Sequence, residues 1–329
     1  MSGLRAISVP VDWHSALSIY ASPRFLASVS DEFGWLGGVN PAGSLRCVLP
    51  YTVVRKATLR LVRFRVETIA LHPDFDVAEE KSFLNSAVEH FRAAGADVII
   101  PATTNTIFRT YPDGAEAAPY GTIVLDLAAS EEELWKQVHP KHRNKIRSAA
   151  KQGVRLASGG QHLETAYRLI RETFGRSRLP FMGLQPFRRM VEALGENVAI
   201  LVAEAGGKVQ GCAVLPFSNY CAYYVYGGTA EEIITGAMNF LQWEAIRFFR
   251  NRGVLRYDFV GVRINPERGS KAEGLLMFKQ RFGGRLVEGY MWKYSLHPLR
   301  ASAYSLGVRL LRGGDIVDVE GRRLASPGA

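Results

Sequence analysis

Two stretches of this chain carry the same ordered signature: an amphipathic helix, a stop-glycine and then an apolar strand. In 79-EEKSFLNSAVEHFRAAGADVII-100, Phe83, Ala87, Val88 and Phe91 recur at helical spacing before Gly95. The order returns in 231-EEIITGAMNFLQWEAIRFFRNRGVLRYDFVGV-262, where a shift of 158 positions lays Ala245, Ile246, Phe249, Arg250 and Gly253 over Ala87, Val88, Phe91, Arg92 and Gly95. Matched stops at a domain-length offset suggest one duplicated α/β module, although two independently amphipathic helices would give a similar pattern. At 329 residues the chain exceeds the size at which a single core usually stops growing, so two modules fit its length.

Each half adds strands to this unit. In the first, 44–54 and 59–71 read as strands and 119–127 closes the half; in the second, 198–205 and 209–218 flank a Gly206-Gly207-Lys208 hairpin turn, and 220–228 follows as one buried strand. Meandering strands, a helix and a further strand make a GNAT-like order. Between the halves, Ser130 and Glu133 form a capping box, and a second, very basic helix runs to Gly153. The expectation is an α/β (α+β) chain of two tandem GNAT-like domains, each a mixed sheet flanked by helices, at 1–152 and 153–300. Residues 301–329 follow as a C-terminal helix and frayed tail.

Composition narrows the chemistry. Hydrophobic residues at 47% and charged residues at 22% suit a folded soluble chain, and no run approaches the roughly 20 apolar residues that span a bilayer, so a cytoplasmic location is expected. Cys47, Cys212 and Cys221 form neither a disulfide framework nor a metal-binding spacing and read as buried thiols; no metal is implied. The net charge of +10 fits an anionic partner such as RNA, a nucleotide-linked substrate or a membrane surface, and equally fits solubility.

Two clusters point to function. On a helix over 141–151, Arg143, Arg147 and Lys151 fall on one face and Ile146 and Ala150 turn to the protein; His139, Lys141, His142 and Lys145 add positive potential. Such a stripe suits phosphates, or is a solvated basic face. In 274-GLLMFKQRFGG-284, Phe278-Lys279 follows the strand that holds Tyr257, Asp258 and Phe259. A fixed ammonium there could stabilise an acyl-transfer oxyanion, or merely snorkel beside a packed aromatic.

The runs 125-LDLAASEEELWKQVHPKHRNKIRSAAKQGV-154, 223-YYVYGGT-229, 255-LRYDFVGV-262 and 275-LLMFKQRFGG-284 resemble, in order and spacing, the FemAB peptidoglycan-bridge aminoacyltransferases. The likeness extends from about residue 20 to about residue 300. It implies transfer of an amino acid from aminoacyl-tRNA, as co-substrate and without a bound cofactor, to a peptidoglycan precursor or another amine. It also implies that Lys279, with Phe278 beside it, assists the tetrahedral intermediate, and that Arg143 holds precursor phosphates. Arg147, Lys151, Lys141 and Lys145 on the same helix, with Tyr226 and Asp258 in the intermediate runs, join it as substrate-binding candidates. The family's N-terminal tryptophan and lysine element is replaced here by 22-SPRFLASVSDEFG-34, and the long helical arm of the staphylococcal members is missing.

An acyl-CoA donor is the alternative. The turn that would hold its pyrophosphate, 227-GGTAEEIITGA-237, carries Glu231 and Glu232 and no basic residue. A non-catalytic RNA- or nucleotide-binding protein on the same scaffold is a third reading. No general base stands out. The helix 299-LRASAYSLGVRLLR-312 is expected to pack on the second domain with the face of Leu299, Ala303, Leu306 and Leu310 toward the core; contact of Arg300, Arg309 and Arg312 with anionic lipid is the lesser possibility.

Overall fold

The computed structural model describes residues 3–101 and 106–325. The N-terminal part holds β1 (Arg5–Val9), α1 (Pro23–Val29), β2 (Glu32–Val39), β3 (Leu45–Lys56), β4 (Leu59–Phe64), β5 (Ile69–Ala70), α2 (Val77–Ala93), β6 (Val98–Ile99) and β7 (Glu116–Asp126). Then come α3 (Glu131–Gln137), α4 (Pro140–Lys151), β8 (Arg155–Ser158), α5 (Leu163–Arg176), α6 (Leu184–Leu194), β9 (Val198–Ala205), β10 (Lys208–Pro216), β11 (Ala222–Tyr223) and β12 (Tyr226–Thr229). The chain ends with α7 (Ala237–Arg250), β13 (Arg256–Val262), α8 (Lys271–Gln280), β14 (Arg285–Ser295), α9 (Pro298–Arg312) and α10 (Ile316–Ala325).

The repeated unit is repeated in three dimensions. Gly95 and Gly253 both have φ of +73°, which an L side chain rarely adopts, and each ends its helix the same way. Ala96 N–H donates to the Phe91 carbonyl at 3.0 Å and Val254 N–H to that of Phe249 at 3.2 Å, so the 158-residue offset holds bond for bond. The strands that follow share an environment too. β6 runs parallel to β4 and antiparallel to β14, while β13 runs parallel to β11 and antiparallel to β7.

Strand order is β1-β2-β3-β4-β6-β14-β7-β13-β11, with β5 beside β3. The strand 119–127, expected to close the first half, therefore lies against β13 of the second, and the C-terminal β14 lies against β6 of the first. Across the boundary expected near residue 152, β7 thus pairs only with later strands and β14 only with earlier ones. A second sheet, β12-β10-β9-β8, is antiparallel throughout. The run 220–228, read as one strand, is divided: β11 belongs to the large sheet and β12 to the small one, so the sheets part at Tyr224-Val225.

Capping matches local chemistry. Ser130 and Glu133 close the capping box on α3, and Gly206 and Gly207, at φ +56° and +74°, make the two-residue turn between β9 and β10. The largest core packs α4 and α7 on β7, β9, β10 and β13 through Ile146, Ala149, Leu241, Phe249, Tyr257 and Phe282. Cys47, Cys212 and Cys221 are buried free thiols. Among the described residues no helix is long and apolar enough to cross a membrane, and no cluster of three His, Cys, Asp or Glu side chains could hold a metal.

Candidate active site

The site begins with a defect in β13. Its pairing with β7 slips between Asp258 and Gly261, and Val260 adopts φ +52°, a strained conformation for a β-branched residue. The bulge is held from both sides. The Asp258 carboxylate accepts from Val260 N–H at 2.7 Å and from the Thr122 hydroxyl. Lys279, in the last turn of α8, donates through Nζ to the carbonyls of Val260 and Gly261, each at 2.9 Å. Burial pushes the Lys279 ammonium down to about 8, with Asp258 pulling the other way. Burial likewise pushes the Asp258 carboxyl up to about 6, against the Thr122 and Val260 hydrogen bonds and the positive Lys279 and Arg256. The same residue ties down the parting of the sheets, since Tyr224 N–H donates to the Asp258 carbonyl at 2.8 Å.

Asp258 also lines a small cavity of about 110 Å³ whose wall draws on both halves, including Glu67, Thr122, Tyr220, Tyr223 and Arg256. Glu67 follows β4 and is half-buried; desolvation, reinforced by Asp258, pushes its carboxyl up to about 8. Two carboxyl groups thus line one small cavity, and burial favours the protonated form of each. Arg256 is turned toward Tyr220, donating to its hydroxyl at 2.8 Å, and the Tyr223 hydroxyl pairs with that of Ser18 at 2.8 Å. Glu67 has no sequence signal: a lone acidic residue after a strand looks like any solvated loop charge.

The basic helix is joined to the lysine segment. His142 is buried, its ring 5.4 Å from that of Phe278 and 4.8 Å from that of Phe282, and its Nε2 donates to the Phe278 carbonyl at 3.1 Å. Desolvation pushes its pKa down to about 4, so it adds no charge near neutral pH, contrary to the expectation from sequence. Ala149, not Ala150, faces the core with Ile146. The arginines are less free than the spacing suggests. Arg143 donates to the carbonyls of Trp135 at 3.4 Å and Lys136 at 3.3 Å, closing the end of α3, and Arg147 lies 5.5 Å from the Trp135 ring centre. Lys141, Lys145 and Lys151 are exposed. Beside the start of α4 opens a broad cleft of about 510 Å³ that includes Lys136, His139, Gln280 and Arg281.

Known proteins share parts of this sequence and most of this fold. Residues 137–271 match the model of an acetyltransferase (GNAT) domain. The lipid II:glycine glycyltransferase of Staphylococcus haemolyticus is 29% identical over 102 residues, 31% of this chain and 24% of that protein. Its counterpart in Staphylococcus saprophyticus is 31% identical over 98 residues, 30% of this chain and 24% of the relative. The matched stretch is thus about a quarter of those proteins' length. The crystal structure of FemX superposes with a TM-score of 0.66 at 16% identity, covering 91% of this chain and 99% of that one. A tandem GNAT protein from the clavulanic acid biosynthesis pathway gives 0.52 at 12% identity, over 90% and 99%. The chain thus matches a GNAT acetyltransferase domain over residues 137–271, shares the fold of FemX, and resembles the lipid II:glycine glycyltransferases over about a third of its length.

The helix end where a GNAT cofactor's pyrophosphate would sit abuts another helix. Gly236, at φ +91°, caps α7 directly against α4, and a Cβ there would stand 2.4 Å from the Lys145 carbonyl oxygen. The preceding turn is closed as well: Thr229 N–H donates to the Thr173 hydroxyl, Ala230 N–H to the Gln210 carbonyl and Ile234 N–H to the Gln210 side chain. In the first half, α2 is capped by its own Asp76 and Glu79. The remaining sequence candidates divide. Asp258 and Lys279 meet at the bulge, whereas Phe278 packs on α4, and Tyr226 packs against Phe181 and Phe187 in the aromatic cluster under the small sheet.

Proposed function

We propose that this chain transfers an aminoacyl group, from aminoacyl-tRNA, to an amine acceptor such as a peptidoglycan precursor or another cell-envelope or metabolite amine. The observation that carries this reading is the α7 N-terminus, packed against α4 where an acyl-CoA enzyme needs free N–H groups for a diphosphate. The activity of the staphylococcal relatives, lipid II:glycine glycyl transfer, supports the same reading.

In this scheme the acceptor ammonium enters the cavity and gives a proton to the Asp258–Glu67 pair. The freed amine attacks the ester carbonyl and a C–N bond forms; the C–O bond to the ribose then breaks as the nitrogen's surplus proton passes to the leaving oxygen. Two of the three Lys279 N–H bonds hold the bulge, and in this scheme the third turns to the developing oxyanion. The exposed Lys141, Lys145 and Lys151, with Arg143 and Arg147 behind them, serve phosphate groups of the RNA or of the acceptor.

The test is to offer the purified protein labelled aminoacyl-tRNA or acyl-CoA with a pool of amine acceptors, with and without ribonuclease. Ribonuclease-sensitive transfer is expected; transfer from acyl-CoA alone would instead favour the second reading, an acyl-CoA-dependent N-acyltransferase, to which the acetyltransferase domain match gives some weight.

A further inference from the structure

The helix α9 was expected to bury its leucine face, and it does the opposite. Ala301 is buried and Tyr304 and Val308 are half-buried, and the first two pack against Leu61, Val98 and Ile100 of the N-terminal strands. Leu299, Leu306 and Leu310 are 82%, 59% and 79% exposed, the three most exposed large hydrophobic residues among those described. At about 100° per residue they fall within roughly 40° of one another on the helix surface. This is no frayed end. Arg300 pairs with the buried Asp97 at 3.1 Å at the start of α9, and Arg309 reaches Asp318 of α10 at 3.5 Å near its end. α10 is itself anchored, through Lys293 to Asp318 at 2.6 Å and Arg263 to Glu320 at 2.6 Å. The fold therefore holds a leucine stripe in solvent on a helix tied down near both ends.

We infer that this face of α9 seats the protein on an anionic lipid surface. Charge and area both favour that occupant. The helix contains no acidic residue, and Arg300 and Arg309 flank the stripe on either side; each is paired with an aspartate beneath the helix, and their side chains are still 52% and 57% exposed respectively. That is the arrangement in which leucines enter the acyl boundary while guanidinium groups stay at headgroup level. Arg322 of α10, exposed and bonded to the Gly313 carbonyl at the end of α9, extends the basic rim. Three leucines expose on the order of a few hundred Å² at most, well short of the ~800 Å² per partner that a stable protein–protein contact buries. The inference rests on α9 alone and is independent of which acyl donor the site uses.

Sedimentation of the full chain with vesicles tests it. With phosphatidylcholine vesicles containing a quarter phosphatidylglycerol, at physiological salt, the protein should pellet; on pure phosphatidylcholine it should pellet less. The double substitution Leu299→Ser with Leu310→Ser should lower the partition coefficient at least tenfold without changing the melting temperature, because both side chains are already in water. Wild-type protein left in the supernatant would overturn the inference. So would a double variant that pellets equally while Lys141→Gln, Lys145→Gln and Lys151→Gln together abolish pelleting, since attachment would then run through α4. Concentration-dependent dimerisation without lipid, abolished by the leucine substitutions, would assign the face to a second copy instead.

Discussion

Lys279 is buried with its Nζ on two carbonyls of a strained bulge, so its removal acts on structure as well as on chemistry. Lys279→Met keeps the stem and deletes the ammonium; turnover should fall by about 10² or more, the usual effect of losing one oxyanion donor. Two buried carbonyls lose their partner in the same step, which should cost about 1–3 kcal/mol in a denaturant titration. Full turnover in a destabilised variant would mark Lys279 as a holder of the bulge only. The carboxyl pair makes a separate prediction for pH. If ionised Asp258 takes the acceptor's proton, kcat/KM should rise through about pH 6, and as the Lys279 ammonium is lost it should fall again through about pH 8. Stability moves the other way around the acids. Asp258 and Glu67 titrate higher folded than unfolded, so their contribution is complete below about pH 4 and is lost as pH rises through about 6 and 8. Glu67→Gln should therefore stabilise the protein above pH 8, by about 1 kcal/mol or more, read as a shift in thermal midpoint. Lys279 and Asp258 were legible because they sit in runs with a recognisable order. Glu67 was not, because only the tertiary approach of the segment after β4 to β13 gives that carboxyl a partner.

At the scale of elements, α4 is held on three sides, and its free surface is narrower than its charge suggests. Arg143 and Arg147 serve α3, so replacing both with glutamine should cost stability through the lost carbonyl contacts and the lost cover on Trp135. Lys141, Lys145 and Lys151 are the cleaner probe. Their triple change to glutamine should leave the melt unchanged and flatten the salt dependence of RNA binding by about 0.7 in slope per lost phosphate contact. An unchanged slope would return the helix face to plain solvation. The joint between α4 and α7 has its own test in Gly236→Ala, which meets both a positive φ and the Lys145 carbonyl and should lose about 2–4 kcal/mol. Caps, stop-glycines and the hairpin were readable because their hydrogen bonds close within a few residues. Periodicity also announced the leucine stripe of α9, but a stripe states only that a face is apolar. Which face the protein covers depends on what lies opposite, and here Leu61, Val98 and Ile100 meet Ala301 instead.

On the whole-molecule scale, the repeat was legible and its closure was not. A sequence offset reveals two copies of a helix-glycine-strand unit, yet nothing local records that β14 inserts between β6 and β7, because backbone pairing leaves no side-chain code for partner choice. The insertion has a direct consequence. Cut after residue 152, the first half keeps β7 without either neighbour, and the second keeps β14 with both edges bare. The seam is long: β7 and β14 pair continuously from Val124 opposite Arg285 to Glu116 opposite Lys293. Around it lie Ile123, Leu125, Met291 and Trp292, each at most 2% exposed in the intact chain. Neither half can bury those side chains alone, and each would present unpaired strand edges that promote aggregation. Fragments 1–152 and 153–329 expressed separately should therefore be insoluble or lack a cooperative melt, whereas co-expression should return a one-to-one complex. Gel filtration and thermal melting read both outcomes. A half that folds cooperatively by itself would show that its last strand can pair at home, and the insertion would then be an optional arrangement of two self-sufficient modules rather than the condition for folding either.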